Sequence, residues 1–399
     1  MNVLLLNFWN VVNSSGGTEK VLCNMANEFT NRGHNVFLIC CDPQVGKPFY
    51  PLSEKIKFFN LNGTGKNIKG PLYLRIQREF LRLIGKLDKD EMDVKIRFSE
   101  NIEEKFQKIL NTILPDIIIT YDQRSLIYVK NILNLEIPVI AMLHMNAEFF
   151  FNKNMTKSLL DAFNKASCIQ VLMRKDKSVV KEYCSQIPVV YIPNIVENNF
   201  SALQKETKHY KIINVARIDE RQKRQMILIE AFRKIYESVD NKWTIEFVGR
   251  KANESQEVYL QNMKEKIYTY NLQKKIKFCG EVKNVQERLR EADIFAFPSA
   301  YEGMPLALTE AMAAGLPVIG YKSCPSVNEL IIDGYNGFLC EDGIDDFAEK
   351  LKLLMNNPEL RKIMGENARE SIKKFAPQKI WDQWENLIEK VVNNEVILD

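Results

Sequence analysis

Residues 294–319 read IFAFPSAYEGMPLALTEAMAAGLPVI, and the order of apolar and turn-forming residues in this segment predicts a strand, a loop, a helix and a second strand. The apolar run 294–297 is short and is followed by proline, as expected of a buried strand. A helix is predicted from about residue 305 to residue 314, because Gly315 is a common helix stop. The next strand opens at 317–319. Units of this kind build open parallel sheets.

Two carboxylates stand in this segment, Glu302 on the loop and Glu310 inside the helix. Ligands of open parallel sheets bind at the carboxyl ends of the strands, and Glu302 lies there. The amides of Met304, Leu306 and Ala307 open the helix, where they and the helix dipole can receive a phosphate. A carboxylate beside a phosphate suits hydroxyl groups of a sugar, which donate hydrogen bonds to it. The alternative is that Glu302 is a surface loop charge and Glu310 a solvated helix residue.

The segment resembles the E-x7-E motif of the retaining family 4 glycosyltransferases, which have the GT-B fold. The match covers EGMP at residues 302–305 and EAMAAGLPVI at residues 310–319. In that family the first glutamate contacts the donor sugar and the second contacts the nucleotide ribose, so the resemblance implies these roles for Glu302 and Glu310. It also implies donor contacts from the residues that lead into the helix, namely Gly303, Met304, Pro305 and Leu306.

Length and composition set the frame for this resemblance. A chain of 399 residues favours two domains, and a net charge of +4 suits anionic ligands or a membrane surface. We find no basic stripe with interleaved aromatics, so nucleic acid is not an expected partner. The eight cysteines lack any C-x-x-C spacing, which predicts reduced core thiols rather than a zinc or redox site. Neither a signal peptide nor a membrane-spanning run is recognised, so a cytoplasmic protein, soluble or peripheral on the membrane, is expected.

A glycine turn follows the first predicted strand. Residues 3–7 and 35–41 predict parallel strands joined by a helix, and the turn between strand and helix contains Gly16 and Gly17. The resemblance implies that this turn is the Gly-Gly-x-Glu loop that faces donor and acceptor, with Glu19 as its acidic residue. The alternative is a glycine pair that only permits a tight connection.

Residues 71–86 predict a basic amphipathic helix. Its apolar face contains Leu72, Ile76, Phe80 and Leu83, and four basic residues occupy a neighbouring face. Such a helix can lie in a membrane interface, held by apolar burial and by anionic lipid. An ordinary domain helix with solvated arginines is the alternative. The resemblance keeps the membrane interpretation open, because many relatives act on lipid-linked acceptors.

His144 comes directly after the predicted strand 138–143, at the edge where ligands bind. A single histidine is often structural. The resemblance implies a hydrogen bond from His144 to the donor hexose near the reacting carbon. Residues 193–196 resemble the P-N-G-V segment at the domain crossover of the family, with Ile195 in place of glycine.

Arg217 and Lys223 follow the strand 211–216 and lead into the next helix. Two cations at a strand–loop–helix junction neutralise a diphosphate and stabilise it as a leaving group, whereas two basic loop residues can also be merely solvated. The resemblance to the G-R-L-x-x-x-K-G diphosphate motif favours the first interpretation. Ala216 and Arg224 replace the glycines of that motif, and Arg224 either adds a phosphate contact or crowds the loop.

Further segments of the second domain also resemble the family. Residues 276–282 match its F-x-G-x-V strand and loop, which implies that Val282 and Lys283 neighbour the nucleobase. Residues 328–339 match a structural glycine-turn signature. The resemblance implies an α/β GT-B architecture, with two Rossmann-like, doubly wound parallel-sheet domains facing a central cleft.

We therefore predict three parts of the chain, with a polar linker at 197–209. They are an N-terminal acceptor-binding Rossmann-like domain at 1–196, a C-terminal nucleotide-sugar-binding domain at 197–375, and a helix at 376–399 that returns to the first domain.

The predicted activity is glycosyl transfer, with retention, from a nucleotide-diphospho-sugar, a UDP-sugar being expected, to a glycan or lipid-linked acceptor. Bacterial surface polysaccharide, lipopolysaccharide or oligosaccharide synthesis is the expected setting, on the inner face of the membrane. Catalysis is assigned to Glu302, His144, Arg217 and Lys223 without a metal or cofactor, since no D-x-D pair stands in a ligand position. A nucleotide-sugar epimerase of the same fold and a non-catalytic partner subunit are the alternatives.

Overall fold

A computed structural model describes residues 1–9, 11–98, 101–197, 209–251 and 253–397. The chain divides into two compact units, Met1–Pro193 with Trp381–Asp399, and Asn194–Ile380. The predicted linker at 197–209 lies outside the described residues except for its first and last members. Each unit is built on one parallel sheet, which confirms the predicted Rossmann-like fold class.

The sheet of the first unit has seven parallel strands in the order β3-β2-β1-β4-β5-β6-β7. Its central strands are apolar throughout because helices cover both faces of a parallel sheet. In the register of β1 with β2, for example, Leu5 lies opposite Leu38, and both are fully buried. The strands are β1 Asn2–Asn7, β2 Asn35–Cys40, β3 Lys57–Asn60, β4 Ile117–Thr120, β5 Val139–Leu143, β6 Cys168–Val171 and β7 Val189–Tyr191.

Helices connect these strands. Residues 128–132 continue the fifth helix as a π-helical turn. The helices are α1 Gly17–Asn31, α2 Leu72–Leu83, α3 Lys89–Arg97, α4 Asn101–Ile113, α5 Gln123–Ile127, α6 Ala147–Asn154, α7 Lys157–Asn164 and α8 Arg174–Tyr183. Four aromatic rings fill the core below the first strand, where Phe8 contacts Phe98 at 4.4 Å, Phe106 at 6.2 Å and Tyr128 at 5.7 Å between ring centroids. This packing fixes the position at which β1 ends.

The sheet of the second unit has six parallel strands in the order β10-β9-β8-β11-β12-β13. The strands are β8 Tyr210–Val215, β9 Trp243–Val248, β10 Ile276–Gly280, β11 Ile294–Phe297, β12 Val318–Tyr321 and β13 Gly337–Cys340. The helices are α9 Met226–Ile235, α10 Glu254–Thr269, α11 Val285–Glu291, α12 Leu306–Ala313, α13 Val327–Leu330, α14 Asp345–Asn356 and α15 Pro358–Ile372, with 3₁₀ turns at Tyr236–Ser238 and Lys373–Phe375. Strands β8 and β11 are direct neighbours, so the loops that follow them meet.

The last helix, α16 (Pro377–Val392), passes from the second unit into the first. Its apolar stripe is buried, with the ring of Trp381 at 6.3 Å from that of Phe29. His34 Nε2 lies 2.8 Å from Glu385 Oε1. Residues 194–197 belong to the second unit, where the amide of Val196 donates to the carbonyl of Phe375 at 2.9 Å.

All eight cysteines are free, and seven of them are buried while Cys279 is partly exposed. Burial raises the pKa of the Cys23 thiol to about 12, as suits the core thiols predicted from the sequence. Within the described ranges, no helix combines the length and the apolar character needed to cross a bilayer.

Candidate functional site

Lys223 and Glu302 form an ion pair at the carboxyl edge of the second sheet. The two residues follow β8 and β11, and Lys223 Nζ lies 2.5 Å from Glu302 Oε1. Their side chains are only 12% and 7% exposed, respectively. Glu302 is therefore not the surface charge of the alternative interpretation. A pair shielded in this way is costly to break without a replacement partner for each charge.

Arg217 stands beside this pair and remains half exposed. Its Nη2 donates to Asp219 Oδ2 at 3.1 Å and to Gln222 Oε1 at 2.5 Å. Gln222 Nε2 in turn donates to the carbonyl of Tyr301 at 3.0 Å, next to Glu302. These bonds orient the guanidinium while its outer face stays open to an anion, and they connect the β8 loop to the β11 loop.

Arg224 has a structural role that the sequence did not predict. Its φ of 49° lies in the left-handed region, which explains why the matching motif has glycine there. Its Nε donates to the carbonyl of Pro298 at 2.9 Å and its Nη2 to that of Ser299 at 3.0 Å. The guanidinium also lies 4.7 Å from the ring centroid of Tyr321. Arg224 thus holds the loop that carries Glu302.

Helix α12 begins immediately after Glu302. Pro305 is its N-cap residue, and the amides of Leu308 and Thr309 donate to the Pro305 carbonyl at 3.1 Å. The amides of Leu306 and Ala307 precede these bonds, at the end where a helix leaves its N–H groups without intrahelical partners. Gly303, Met304, Pro305 and Leu306 therefore line the entry to a helix whose dipole favours an anion.

Three further contacts shape this edge of the sheet. Met304 is buried, and its Sδ accepts from the amide of Asn194 at 3.2 Å. The hydroxyl of Ser326 donates to the carbonyl of Glu302 at 2.9 Å. At the end of β9, Gly249 lies so close to Ala216 that an added Cβ would overlap the Ala216 carbonyl oxygen.

The remaining predicted donor residues belong to the same unit as the ion pair. Glu310 is half-buried in the second turn of α12, and Val282 is half-buried after β10 at the edge of the sheet. Lys283 is exposed. The structure thus brings Arg217, Lys223, Glu302 and the start of α12 together, whereas Val282 follows an edge strand that β9 separates from β8.

In the first unit, Gly16 caps helix α1 and the side chain of Glu19 folds back over it. A Cβ added at Gly16 would overlap Oε2 of Glu19, and Glu19 is buried. Gly17 is the first residue of α1. Gly16 therefore leaves room for a carboxylate over the turn, a purpose beyond a tight connection.

His144 follows β5 and stacks on Tyr121, with ring centroids 5.2 Å apart and ring planes at 20°. Its Nε2 atom is shielded from solvent and has no hydrogen-bond partner among the described residues. Burial lowers the pKa of His144 to about 4. The imidazole is therefore neutral at pH 7, where it can donate or accept one hydrogen bond but provides no charge.

Two carboxylates that the sequence did not single out, the buried Asp42 and the half-buried Asp122, hold the loop after β1. Asp42 Oδ2 accepts from the amides of Val11 at 2.8 Å and Val12 at 2.9 Å. Asp122 Oδ2 accepts from the amide of Phe8 at 2.7 Å, and burial raises the pKa of Asp122 in spite of these bonds. Each aspartate ends an apolar run just past a strand, which was the available signal. The predicted residues Gly16, Gly17 and His144 thus belong to the first unit, and the donor residues to the second.

The chain is similar to known proteins in sequence and in fold. Residues 195–371 match the model of the family described as glycosyl transferases group 1. The chain is 25% identical over 388 residues to an uncharacterized glycosyltransferase of Haemophilus influenzae, an alignment that spans 94% of this chain and 97% of that protein. It is 22% identical over 383 residues, or 95% of this chain and 97% of the other, to the GalNAc-alpha-(1->4)-GalNAc-alpha-(1->3)-diNAcBac-PP-undecaprenol alpha-1,4-N-acetyl-D-galactosaminyltransferase of Campylobacter jejuni.

Among solved structures, the pneumococcal O-GlcNAc transferase GtfA in complex with UDP and GlcNAc has a TM-score of 0.74 at 14% identity, covering 98% of this chain and 99% of that one. This likeness supports the fold, and the sequence relatives support the activity. They favour glycosyl transfer over the epimerase and the non-catalytic subunit. The chain is a glycosyltransferase of the GT-B fold, and its residues 195–371 match the family described as glycosyl transferases group 1.

Proposed function

We propose that this enzyme transfers a hexose or N-acetylhexosamine from a nucleotide-diphospho-sugar, with retention of configuration, to a glycan or lipid-linked acceptor. The observation that carries the proposal is the Lys223–Glu302 pair, 2.5 Å apart beside Arg217 and the start of α12. A cation and free helix amides at one strand edge match the diphosphate of such a donor, which gains charge as it leaves. The carboxylate beside them matches the sugar hydroxyls.

Leaving-group stabilisation is assigned to Arg217 and Lys223. When the bond between the anomeric carbon and the phosphate oxygen breaks, its electron pair stays on the nucleoside diphosphate. A half-exposed guanidinium and a shielded ammonium compensate this charge, and the amides that open α12 add to their effect. We propose that these groups act without a metal, so chelation by EDTA leaves the rate unchanged.

Glu302 orients the sugar in this mechanism. Before the donor binds, Lys223 neutralises Glu302. The diphosphate then competes for Lys223, and the carboxylate accepts hydrogen bonds from the sugar hydroxyls in exchange. The acceptor oxygen forms its bond to the anomeric carbon on the face that the diphosphate leaves, and the acceptor proton passes to the departing phosphate oxygen. His144, whose imidazole is neutral at pH 7 because its pKa is lowered, is assigned a hydrogen bond to the hexose. Glu310 is assigned a hydrogen bond to the ribose.

We further propose a UDP-sugar as donor and assembly of bacterial surface polysaccharide or lipid-linked oligosaccharide as the setting, at the cytoplasmic face of the membrane. The pneumococcal structure contains UDP and GlcNAc, and the Campylobacter relative is named for a transfer to an undecaprenol-linked glycan. These are properties of those proteins, and they support the choice of donors and acceptors to test first.

A donor panel tests the proposal. Purified enzyme is incubated with UDP-, GDP- and ADP-sugars, and slow hydrolysis of the donor is followed for wild type, Glu302→Ala and Lys223→Ala. Lys322→Ala is the matched control, because Lys322 is an exposed lysine of the same unit paired with Glu341. Turnover of one donor that both site variants lose and the control retains is the expected result. Equal turnover in Lys223→Ala and Lys322→Ala would contradict the assignment.

A further inference from the structure

Helix α2 has an apolar face that the fold leaves in solvent. Four residues at helical spacing are exposed by 59% to 85%: Leu72, Ile76, Phe80 and Leu83. Tyr73 and Ile84 extend this surface and are 61% and 46% exposed. We call these six residues the α2 outer face. They make up six of the twenty large hydrophobic side chains exposed in the described part of the chain, within 13 consecutive positions.

The opposite face of α2 is packed. Leu74 is the only buried residue of the helix, and it forms a small cluster with Met92 and Ile96 of α3. Leu81 and Leu87 pack against the same cluster. At about 100° of rotation per residue, Leu74 and Leu81 point away from Phe80 and Leu83. The helix is therefore held in place by its inner side, and its outer face is available.

Charge accompanies the exposed face. Residues 66–87 contain six lysines and arginines and a single acidic residue, Glu79, so this segment has a net charge of +5. The whole chain has +4, and the rest of the protein therefore carries no excess of positive charge. Glu79 is shared by Arg78 and Arg82 in ion pairs whose side chains are about half exposed or more, and such pairs contribute little.

We propose that the α2 outer face binds an anionic lipid bilayer, with the helix axis in the plane of the interface. Apolar side chains enter the acyl boundary while Arg75, Arg78, Arg82 and Lys86 contact lipid phosphates, the arrangement of an interfacial amphipathic helix. Binding needs both components, because neither a short apolar face nor a basic patch alone anchors a protein stably.

The charge distribution selects this occupant. A second copy of the chain seated on the same face would bring two +5 segments together, which like-charge repulsion opposes. A bilayer with anionic lipid offers negative charge and an apolar layer in one surface. Membrane binding accords with the proposed lipid-linked acceptor, because it would bring the enzyme to the bilayer in which such an acceptor is embedded. The observations that support membrane binding come from α2 alone.

Vesicle flotation tests the inference. The full chain is mixed with vesicles of phosphatidylcholine alone or with about 30% phosphatidylglycerol, at low and high salt. We expect binding to the anionic vesicles that is at least ten-fold stronger than to the neutral ones and that weakens with salt. Phe80→Ser with Leu83→Ser, and separately Arg75→Gln with Lys86→Gln, each lower binding at least ten-fold.

Matched controls lie on the second unit. Tyr268→Ser with Leu353→Ser removes two exposed apolar side chains, and Lys242→Gln with Lys322→Gln removes two exposed charges. We expect both controls to float like wild type. Hydrolysis of a soluble donor is measured in parallel and is unchanged in the α2 variants, so a failure of the proposed chemistry and a failure of membrane binding are distinguished.

Two results would overturn the inference. One is a folded wild type that fails to float with anionic vesicles at low salt, or floats no better than the Phe80/Leu83 variant. The other is self-association in solution, or capture of an acidic protein, that the Phe80/Leu83 variant abolishes while vesicle binding is absent. Either would assign the α2 outer face to a protein contact.

Discussion

The carboxyl ends of the two parallel sheets carry different chemistry. In the second unit, Arg217 and Lys223 follow β8, and Lys223 pairs with Glu302 after β11. In the first unit the corresponding edge carries the carboxylates of Asp42 and Asp122, which accept hydrogen bonds from backbone amides, and the neutral His144. Both edges arise from the same strand–loop–helix architecture.

Under the proposed function, the difference lets one fold serve two ligands, a donor at the second unit and an acceptor at the first. An anionic leaving group requires mobile positive charge, and a lysine that exchanges one partner for another provides it. A neutral hydroxyl acceptor requires a loop of fixed shape, and a buried carboxylate that accepts two or three amides provides that. In this proposal the charge of Lys223 in the second unit interacts with a ligand, whereas the carboxylates of Asp42 and Asp122 in the first unit interact with backbone amides of the protein itself.

The largest expected effect comes from breaking the Lys223–Glu302 pair. Lys223→Met leaves a shielded carboxylate without its partner, so we expect a loss of about 3 kcal/mol in the free energy of unfolding, at the lower end for a broken buried pair. We also expect a fall of about 10²–10³-fold in kcat, because one leaving-group stabiliser is gone. The double variant Lys223→Met with Glu302→Gln regains stability to within about 1 kcal/mol of wild type but not activity.

Urea denaturation and steady-state kinetics on the two single variants and the double variant form the complete cycle. Stability losses that simply add in the double variant would show that the two side chains do not interact in solution.

A second test acts on the first unit. Asp42→Ala leaves the buried amides of Val11 and Val12 without acceptors, and each unsatisfied amide costs about 1–3 kcal/mol. We expect lower stability and a higher KM for the acceptor, while the rate of donor hydrolysis in the folded variant stays within about two-fold of wild type. Thermal unfolding and separate assays of hydrolysis and transfer measure these effects, with Asp42→Asn, which retains one acceptor oxygen, as the milder control. If Asp42→Ala lowered the rate of donor hydrolysis and left the KM for the acceptor unchanged, the proposed difference between the two sheet edges would be wrong.

The smallest effect is a pH dependence from His144. Its folded-state pKa of about 4 lies below the ordinary value for histidine, so the unfolded chain binds the extra proton first as pH falls. The stability that His144 provides is complete above about pH 6.5 and is lost progressively toward pH 4. Relative to His144→Gln, we expect wild type to lose about 1–3 kcal/mol over that interval. Denaturation curves at several pH values measure this, and parallel pH profiles for the two proteins would show that His144 does not titrate abnormally.

Much of the second sheet and its edge could be predicted from the sequence. Short apolar runs that end at glycine, proline or charged residues mark strands such as β8 and β11, and the two glutamates of α12 and its loop stand at a recognisable spacing. The Lys223–Glu302 pair could not be predicted by spacing, because 79 residues separate the two side chains. It follows only from the sheet order, which places β8 beside β11.

Other residues resisted prediction for different physical reasons. Arg224 looked like a charge for phosphate, but its left-handed backbone turns the guanidinium toward two carbonyl oxygens of a neighbouring loop. Asp42 and Asp122 looked like ordinary polar residues at strand ends, since their function depends on amides that are 30 and 114 residues away, respectively. For α2, the sequence left two interpretations open, and the exposure of Phe80 and Leu83 now favours the interfacial one.

Titration calorimetry with UDP tests the central claim most directly, namely that the positive charge after β8 exists for the donor diphosphate. UDP lacks the transferred sugar, so its binding does not involve the proposed contact between Glu302 and the sugar hydroxyls, while the diphosphate that faces Arg217 and Lys223 is retained. We expect Lys223→Ala to weaken UDP binding by at least ten-fold. We expect Lys322→Ala and His144→Gln to bind UDP with the affinity of wild type. Equal UDP affinity in Lys223→Ala and wild type, with both proteins folded, would contradict it.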